Sequence, residues 1–425
     1  PKKDLISDYK VSEDGKTWTF TLKKGLKYSD GATPVKADDA VFAFEYVKGS
    51  TAGIPPGFGV VSTVAAPDDA TIVFTLKQRF DDFPYFLGGL YYHLNPRSKA
   101  AGNADYWKNP LSAGPFRIKS WTPGDDIFSI EANPNYWAKP RVNELRVVTI
   151  PDGNTRLAAF QAGSIDYAME LPLSAKSIKW DKAKYRVTGE QDSGTFMLAF
   201  NMGPNQPNKA LKDARVRQAI SLAVDRAGIM RTAFANLGKP NCGMQFNHNN
   251  DYVVCSLPKS GKRDTAAARK LLKDAGYPNG FKVNMPVPNR IFWQDAAQVV
   301  KDSLKIVGID VTIEMVTPDS AIGPRYLDKK DWEMMWFGNN AATPILQLSN
   351  WFKPGGVWAN NANIPNALIT ETEKLLNEAA SSENPAVIRD KLAGVEKIAF
   401  EQSIFIPIGT RFYLAGSRIA PGLVN

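Results

Sequence analysis

Residues 195–225 read TFMLAFNMGPNQPNKALKDARVRQAISLAVD, and this stretch decides the fold of the chain. Its apolar run, Phe196 to Phe200, has the length and bulk of a buried strand. Gly203, Pro204 and Pro207 follow the run and break it, because these residues favour turns and interrupt regular structure.

A helix is predicted after this loop. Asp213 is a favourable N-cap residue. Arg215 and Arg217 lie off the predicted apolar stripe, so both are expected to point away from the core. The stripe has helical spacing and consists of Val216, Ile220 and Ala223. The whole stretch therefore leaves one packed unit and opens another.

The length and charge of the chain limit its function. With 425 residues, it is too long for a single core, so two or more domains are expected. No apolar run is long enough to span a bilayer. The formal charge of +9 comes without a long Lys/Arg block, which disfavours nucleic acid as a partner. An acidic small ligand would be attracted by such a field.

Catalytic motifs are not evident in the sequence. It has no G-x-S-x-G, no H-E-x-x-H and no G-x-G-x-x-G that opens a helix. A glycoside hydrolase that uses carboxylates from different segments stays open as an alternative. Three of the four adjacent acid pairs lie at turn signals or a helix start and are predicted to serve in turns and caps instead. The four pairs are Asp38-Asp39, Asp68-Asp69, Asp81-Asp82 and Asp125-Asp126.

The stretch around residues 195–226 resembles a known protein family. Phe200-Asn201 followed by the run from Asp213 to Arg226 is similar to the pattern "FN", then "D-x-R-V-R-x-A-I/L-x-x-A-V/I-D-R". This pattern occurs in the dipeptide- and oligopeptide-binding proteins of bacterial ABC importers, solute-binding protein family 5. Residues 7–47 resemble that family's block "S-x-D-G-x-T-Y/W-T-F-x-L", which continues to "A-D-D-V/A-x-F-x-F-E". Residues 114–125, 154–166 and 271–281 resemble three further family motifs in the same order.

The resemblance implies an α/β protein with the two-lobed periplasmic binding protein type II fold, in which helices flank mixed sheets. Lobe one is then expected to comprise residues 1–200 plus 408–425, with an inserted subdomain at about 35–125. Lobe two is expected to comprise residues 201–407. The lobes of such receptors close on a ligand by a hinge motion. The chain also looks shorter at both ends than members of the family.

One departure from the family pattern concerns the ligand. Peptide-binding members read "W-x-x-D" on one strand, and that Asp holds the α-ammonium of the peptide. Here the residues are Trp336 and Asn339, so the carboxylate is replaced by an amide. An ammonium left without a charge partner in a closed cleft costs several kcal/mol. We therefore expect an anionic or metal-chelate-like solute, with a di- or oligopeptide as the alternative.

The candidate ligand-binding residues combine cations with aromatic walls. Arg290 is the first cation to consider, because it precedes a predicted helix N-terminus, where backbone N–H groups favour anions. Arg411 is the second, because it follows the return of the chain to lobe one. Exposed cations that contact only water are the alternative for both. The remaining candidates are Tyr91, Tyr92, His93, Trp293, Trp336, Asn339 and Asn340.

Cys242 and Cys255 are the two cysteines of the chain. Together with His248 they lack the paired spacings that indicate a zinc site, so no metal site is predicted. A disulfide, which would stabilise the fold by about 3 kcal/mol, is favoured over two buried thiols. Export, which the resemblance implies, agrees with that pairing.

The resemblance also implies the cellular setting. It predicts a monomeric receptor, not an enzyme, that binds a small solute without a cofactor and delivers it to ABC permease subunits. Family members are periplasmic, and some are held at the membrane by a lipid anchor. The same localisation, with or without an anchor, is expected for this chain.

Overall fold

A computed structural model describes residues 3–49, 56–88, 93–122, 124–238, 240–241, 243, 262–289, 291–317, 321–340 and 343–418. The described chain divides into two compact units, which comprise residues 3–150 and 151–418. Each unit has its own sheets and is described by itself.

The first unit contains two antiparallel sheets and short helices. One sheet has the strand order β1-β2-β4-β3, and the other has the order β5-β6-β7. The elements of this unit are β1 (Ile6–Val11), β2 (Thr17–Leu22), α1 (Ala37–Lys48), β3 (Val61–Ala65), β4 (Thr71–Leu76), α2 (Phe83–Leu87), α3 (Arg97–Ala100), β5 (Phe116–Ser120), β6 (Ile127–Ala132) and β7 (Glu144–Val148).

Strand β2 follows from its alternating sequence. Trp18, Phe20 and Leu22 are buried, whereas the threonines between them are at least partly exposed. Gly15 in the preceding turn has a φ of 66°, a conformation that glycine adopts without steric cost. The alternation therefore predicts both the strand and its buried face correctly.

The second unit combines a four-stranded antiparallel sheet with a two-stranded parallel sheet. The large sheet has the order β12-β9-β13-β8, and β10 pairs with β11 in parallel. The elements are α4 (Gly153–Ala162), β8 (Tyr167–Leu171), β9 (Tyr185–Phe200), α5 (Ala214–Ala223), α6 (Arg226–Phe234), α7 (Thr265–Asp274), β10 (Lys282–Pro288), α8 (Ile291–Lys305), β11 (Asp310–Val316), β12 (Met334–Asn340), α9 (Pro344–Phe352), α10 (Val357–Asn361), α11 (Asn366–Ala380), α12 (Pro385–Glu401) and β13 (Phe405–Arg418).

The end of strand β9 is buried on both faces. Phe196, Leu198 and Phe200 belong to one apolar core, and Met197 and Ala199 belong to another. Because successive side chains of a strand point to opposite faces, the continuous apolar run packs against a layer on each side. This explains why the sequence here lacks alternation.

Asn201 fixes the chain where it leaves β9. Its amide nitrogen donates to the carbonyls of Lys330 and Trp332 at 2.9 and 3.0 Å. Its amide oxygen accepts from the backbone N–H of Gly203 at 2.9 Å and from Asn363 Nδ2 at 2.8 Å. Both ends of the buried amide are satisfied, which accounts for an asparagine directly after the strand.

Helix α5 begins at the predicted N-cap, but one of its arginines is buried and not exposed as predicted. Asp213 caps the helix by accepting from the backbone N–H of Arg215. The expectation that Arg217 points away from the core is wrong, since only 1% of it is exposed. Its guanidinium donates to the carbonyls of Leu211 and Gln402 at 2.8 and 2.6 Å. These bonds replace the lost hydration and offset part of the free-energy cost of burying the charge.

The predicted elements agree with the structure in type and differ in length. The predicted strand at residues 196–200 is the apolar part of the much longer strand β9, and residues 405–408 are the apolar part of β13. Their polar halves pair along the ladder from Tyr185 to Thr188 with Arg418 to Ala415. The mixed α/β fold class is confirmed. The lobe boundaries stay a prediction.

Candidate ligand-binding site

Three polar residues meet across the centre of the large sheet of the second unit. The backbone of Asn339 on β12 is in register with Thr195 on β9. Thr195 is in turn in register with Thr410 on β13. The row lies immediately beyond the apolar run of β9, where the sheet changes from apolar to polar residues.

Amide side chains complete a buried network at this row. Gln347 on α9 donates from Nε2 to Thr195 Oγ1 at 3.1 Å. Asn241 Nδ2 donates to the same hydroxyl at 3.4 Å, and Thr410 Oγ1 donates to Asn241 Oδ1 at 2.9 Å. All four residues are buried. Fully bonded polar groups of this kind make a site rigid, because breaking one bond leaves a desolvated group without a partner.

An aromatic cluster lies on the other face of the same strands. Phe196 stacks on Trp336 with ring centroids 4.4 Å apart, and it lies 4.8 Å from Trp293. The two tryptophan rings are 5.9 Å apart. Trp336 is buried, and among the described residues its indole N–H has no hydrogen-bond partner. Trp293 is half-buried, so this ring retains a surface that a ligand can contact.

Helix α8 begins directly after strand β10. The carboxyl ends of the parallel strands β10 and β11 are on the same side of their small sheet, and the helix N-terminus is close to that edge. Such an edge is a common ligand site, because the first N–H groups of the helix are unbonded. Burial raises the pKa of Asp295 near this end of the helix.

The structure brings only some of the predicted site residues together. Trp293 and Trp336 lie in one cluster of the second unit. His93 belongs to the first unit, where it is exposed and its carbonyl accepts from Asn95 Nδ2 at 3.5 Å. For Asn339, Asn340 and Arg411, the structure describes the backbone within β12 and β13.

Five predicted residues lie outside the described part of the chain. These are Tyr91, Tyr92, Arg290, Cys242 and Cys255. Their proposed roles stay predictions. Thiol titration of the denatured, unreduced protein tests the disulfide, since two free thiols would contradict it.

Sequence reasoning missed the polar network. Thr195 and Thr410 stand at the ends of apolar strand segments, and this position is the one local signal. Gln347 is separated from Thr195 by 152 positions, so no spacing rule connects them. Only the register between strands that are distant in sequence brings the residues of the row together.

The first of the acidic pairs has a structural role. Asp39 is buried at the start of α1 and accepts from the backbone N–H of Lys36 and Arg97, both at 2.9 Å, and from the Tyr28 hydroxyl at 3.0 Å. Its neighbour Asp38 forms an ion pair with Arg97. These are cap and anchoring contacts, as the turn and cap interpretation predicts.

The fold and site define a two-unit α/β protein whose second unit has a buried polar row and an aromatic cluster. The family model for bacterial extracellular solute-binding proteins, family 5, matches residues 1–359. The chain therefore belongs to this family, as the sequence motifs predicted.

Curated relatives agree with this assignment. The chain is 27% identical to the probable D,D-dipeptide-binding periplasmic protein DdpA of Escherichia coli strain K12, over 99% of this chain and 81% of that protein. It is 28% identical to the glutathione-binding protein GsiB of Salmonella choleraesuis, over 73% of this chain and 60% of that protein. These relatives are binding proteins, which decides against the glycoside hydrolase alternative.

Solved structures share the fold. AgaA of A. tumefaciens R10, in complex with agropinic acid, has a TM-score of 0.82 at 24% identity and covers 98% of this chain and 84% of its own. DppA of Helicobacter pylori, in complex with the peptide STSA, has a TM-score of 0.82 at 22% identity, with 97% and 84% covered. NikA of Staphylococcus aureus, in complex with Ni(L-His)2, also has a TM-score of 0.82, at 18% identity, with 98% and 86% covered.

The family assignment establishes the general role. Family 5 proteins bind small solutes or peptides and work with the permeases of ABC importers, and the curated relative DdpA is periplasmic. The chain is therefore a solute receptor of this kind and not an enzyme. Within the described ranges, no helix is both long enough and apolar enough to span a bilayer.

Proposed function

We propose that this receptor binds a small organic solute that carries a carboxylate, either a free organic acid or a chelate with anionic groups. The observation that carries the proposal is the row Asn339, Thr195 and Thr410, which places an amide and two hydroxyl residues side by side. A ligand ammonium at this row would meet no charge partner from these three residues, and that arrangement is costly in a closed site.

Three features support an anionic ligand. The N-terminus of α8 has N–H groups that lack partners within the helix, and it lies beside the aromatic cluster that contains Trp293. Arg290, which directly precedes α8 in the sequence, is proposed to pair with the carboxylate. The formal charge of +9 would attract an anion to the protein.

A di- or oligopeptide is the second candidate. The observation in its favour is the similarity to DdpA and GsiB, which are named for a D,D-dipeptide and for glutathione. The proposed route is the same for both candidates. A monomeric, exported receptor would close on the solute and deliver it to its permease.

Native mass spectrometry of the purified protein tests the ligand class. The expected result is a retained small molecule whose fragmentation reveals a carboxylate and no free α-ammonium. A retained linear peptide would favour the second candidate. The ligand-free protein, obtained by unfolding and refolding, is the matched control. A ligand at 100 times its Kd should restore about 2.7 kcal/mol of stability to this control.

A further inference from the structure

A basic surface segment runs into the start of strand β9, whereas the polar row and the aromatic cluster use the later part of the same strand. Residues 176–186 of the second unit form this basic segment. The segment contains five basic residues and one acidic residue, Asp181, so its formal charge is +4. All five basic residues are exposed: Lys176, Lys179, Lys182, Lys184 and Arg186.

Aromatic packing holds the basic segment in place. The rings of Phe160, Trp180 and Tyr185 contact one another with centroid distances of 5.2 to 5.6 Å. Trp180 Nε1 also donates to the carbonyl of Ala175 at 2.8 Å. Phe160 belongs to a buried core of this unit, and the other two rings pack against that core. The apolar side chains of the segment thus face inward and its cations face outward.

A hydrogen-bonded turn fixes the backbone between the two rings. The carbonyl of Asp181 accepts from the backbone N–H groups of Lys184 and Tyr185, both at 2.9 Å. Its carboxylate accepts from the N–H of Ala183 at 3.0 Å. The cations therefore project from an ordered turn.

Few of these cations are compensated. Lys176 Nζ donates to the carbonyl of Ala235 at 3.2 Å, at the end of α6. Lys184 is 3.7 Å from Asp181, with both side chains largely exposed, a geometry that contributes little. Within the part of the chain that the structure describes, Lys179, Lys182 and Arg186 have neither an ion pair nor a side-chain hydrogen bond. Their charge is available to an external anion.

Exposed apolar side chains adjoin the basic segment. Ser417 on β13 is in register with both Arg186 on β9 and Tyr167 on β8, so the three form one cross-strand row. Tyr167 is 56% exposed, and Met169 two residues further along β8 is 51% exposed. Residues directly opposite each other share a face of the sheet. Arg186 therefore extends the basic segment to an exposed apolar edge.

We propose that this surface binds a bilayer rich in anionic headgroups. Clusters of four to eight Lys or Arg residues are the usual signature of binding to acidic lipids. Tyrosine, with an apolar ring and a polar hydroxyl, suits the interface between water and acyl chains. A protein partner fits less well, because the segment has four lysines and lysine is depleted in protein interfaces.

The role of such a contact would be to hold the receptor near the membrane where its permease lies. The inference goes beyond the proposed ligand and does not rest on it. Because Lys179, Lys182 and Arg186 form no side-chain hydrogen bond within the described residues, their substitution should leave the polar row and the aromatic cluster intact. Lipid binding and solute binding are therefore expected to fail independently.

Vesicle sedimentation tests the proposal with the intact chain. Wild-type protein should co-sediment with vesicles that are one-third phosphatidylglycerol and not with pure phosphatidylcholine vesicles. Binding should weaken when salt rises from about 0.1 M to about 1 M, because the Debye length falls from about 10 to about 3 Å. Each Lys or Arg near such a surface contributes about fivefold, so Lys179→Gln, Lys182→Gln and Arg186→Gln combined should reduce the partition coefficient by at least about tenfold.

The control removes the same charge elsewhere in the unit. Lys273→Gln, Lys329→Gln and Lys374→Gln combined change three exposed lysines that are far apart in the sequence. This variant should retain most of the vesicle binding, and both variants should unfold at the same temperature as the wild type. Equal loss in both variants, or no wild-type binding to the acidic vesicles, would overturn the proposal. Binding to reconstituted permease in pure phosphatidylcholine that depends on the basic segment would also overturn it, in favour of a protein partner.

Discussion

Gln347 Nε2 donates to the hydroxyl of Thr195 at 3.1 Å, and both residues are buried. This contact joins helix α9 to the central strand of the large sheet. Because Asn339 is in register with Thr195, the same contact supports the end of the strand that carries the proposed ligand row. Rigid support of this kind orients a binding site before the ligand arrives.

Thr195→Val should therefore destabilise the protein. Valine is close to threonine in shape but cannot accept hydrogen bonds, so the amides of Gln347 and Asn241 would each lose one acceptor. A buried donor without its acceptor costs about 1 to 3 kcal/mol in the free energy of unfolding. Urea unfolding measures this change. Thr312→Val on the exposed side of β11 is the matched control and should change stability by less than about 0.5 kcal/mol.

Arg226 offers a second test of buried polar contacts. Its guanidinium donates to the carbonyl of Pro407 at 2.7 Å and to the carbonyl and hydroxyl of Ser221 at 2.8 and 2.9 Å. Burial lowers its pKa to about 10. Lysine keeps the charge but cannot span these acceptors from one nitrogen. Arg226→Lys should reduce the free energy of unfolding by about 2 to 3 kcal/mol.

The same helix provides the control for that substitution. The side chain of Arg231 on α6 is 60% exposed and lies 3.6 Å from Asp225, a contact that lysine can retain. Arg231→Lys should change stability by less than about 0.5 kcal/mol. Equal effects at both positions, measured by urea unfolding, would contradict the assignment of Arg226 as a buried anchor.

These anchors also mark the limit of what the sequence predicts. Local periodicity places β2 and its buried face, and a capping residue places the start of α5. It could not place Arg217, whose acceptor at Gln402 is 185 residues away. Local periodicity likewise does not predict the polar half of β9, because that half is a strand through its pairing with β13 and not through an apolar pattern. The site shares this limit, since its polar row depends on register between distant strands.

Asp213 should make the stability of the protein depend on acid pH. Its hydrogen bond with the Arg215 side chain, aided by the bond from the Arg215 backbone N–H, lowers the pKa of Asp213 below 3.8. A lowered folded pKa contributes stability above the unfolded value, and this contribution is lost as the pH falls through the folded pKa. Asp213→Asn should therefore be less stable than the wild type at pH 7, and the difference should shrink below about pH 4.

Chemical unfolding at a series of pH values measures that difference. Asparagine retains the helix cap, so the comparison isolates the charge. Asp310→Asn, at an exposed carboxylate without an ion pair among the described residues, is the control and should change stability at pH 7 by less than about 0.5 kcal/mol. A stability difference for Asp213→Asn that stays constant down to pH 2 would refute the assignment.

Arg290 should contribute to ligand affinity if the solute carries a carboxylate. Removing a charged hydrogen-bond partner costs about 1.5 to 3 kcal/mol. Calorimetry with the retained ligand should therefore give about a tenfold or greater loss of affinity for Arg290→Ala. Arg411→Ala tests the second cation in the same way. Arg325→Ala, at a cation paired with Glu314, is the control and should bind normally. Unchanged affinity for both candidate variants would remove them from the site.

Asn339→Asp should convert the receptor towards peptides. The substitution would place a carboxylate in register with Thr195, at the row where the ammonium of a linear peptide lacks a charge partner. An ion pair in a closed site contributes several kcal/mol relative to an unpaired buried charge. Simple tripeptides should therefore bind measurably to the variant, and an anionic solute should bind more weakly because of like-charge repulsion. Asn340→Asp, one residue further along β12, is the matched control and should not produce the same exchange of ligands, because its backbone is in register with Gly194 and not with Thr195. Tripeptide binding to the wild type with equal affinity would show that the ammonium is met elsewhere, and the carboxylate proposal would then fail at this row.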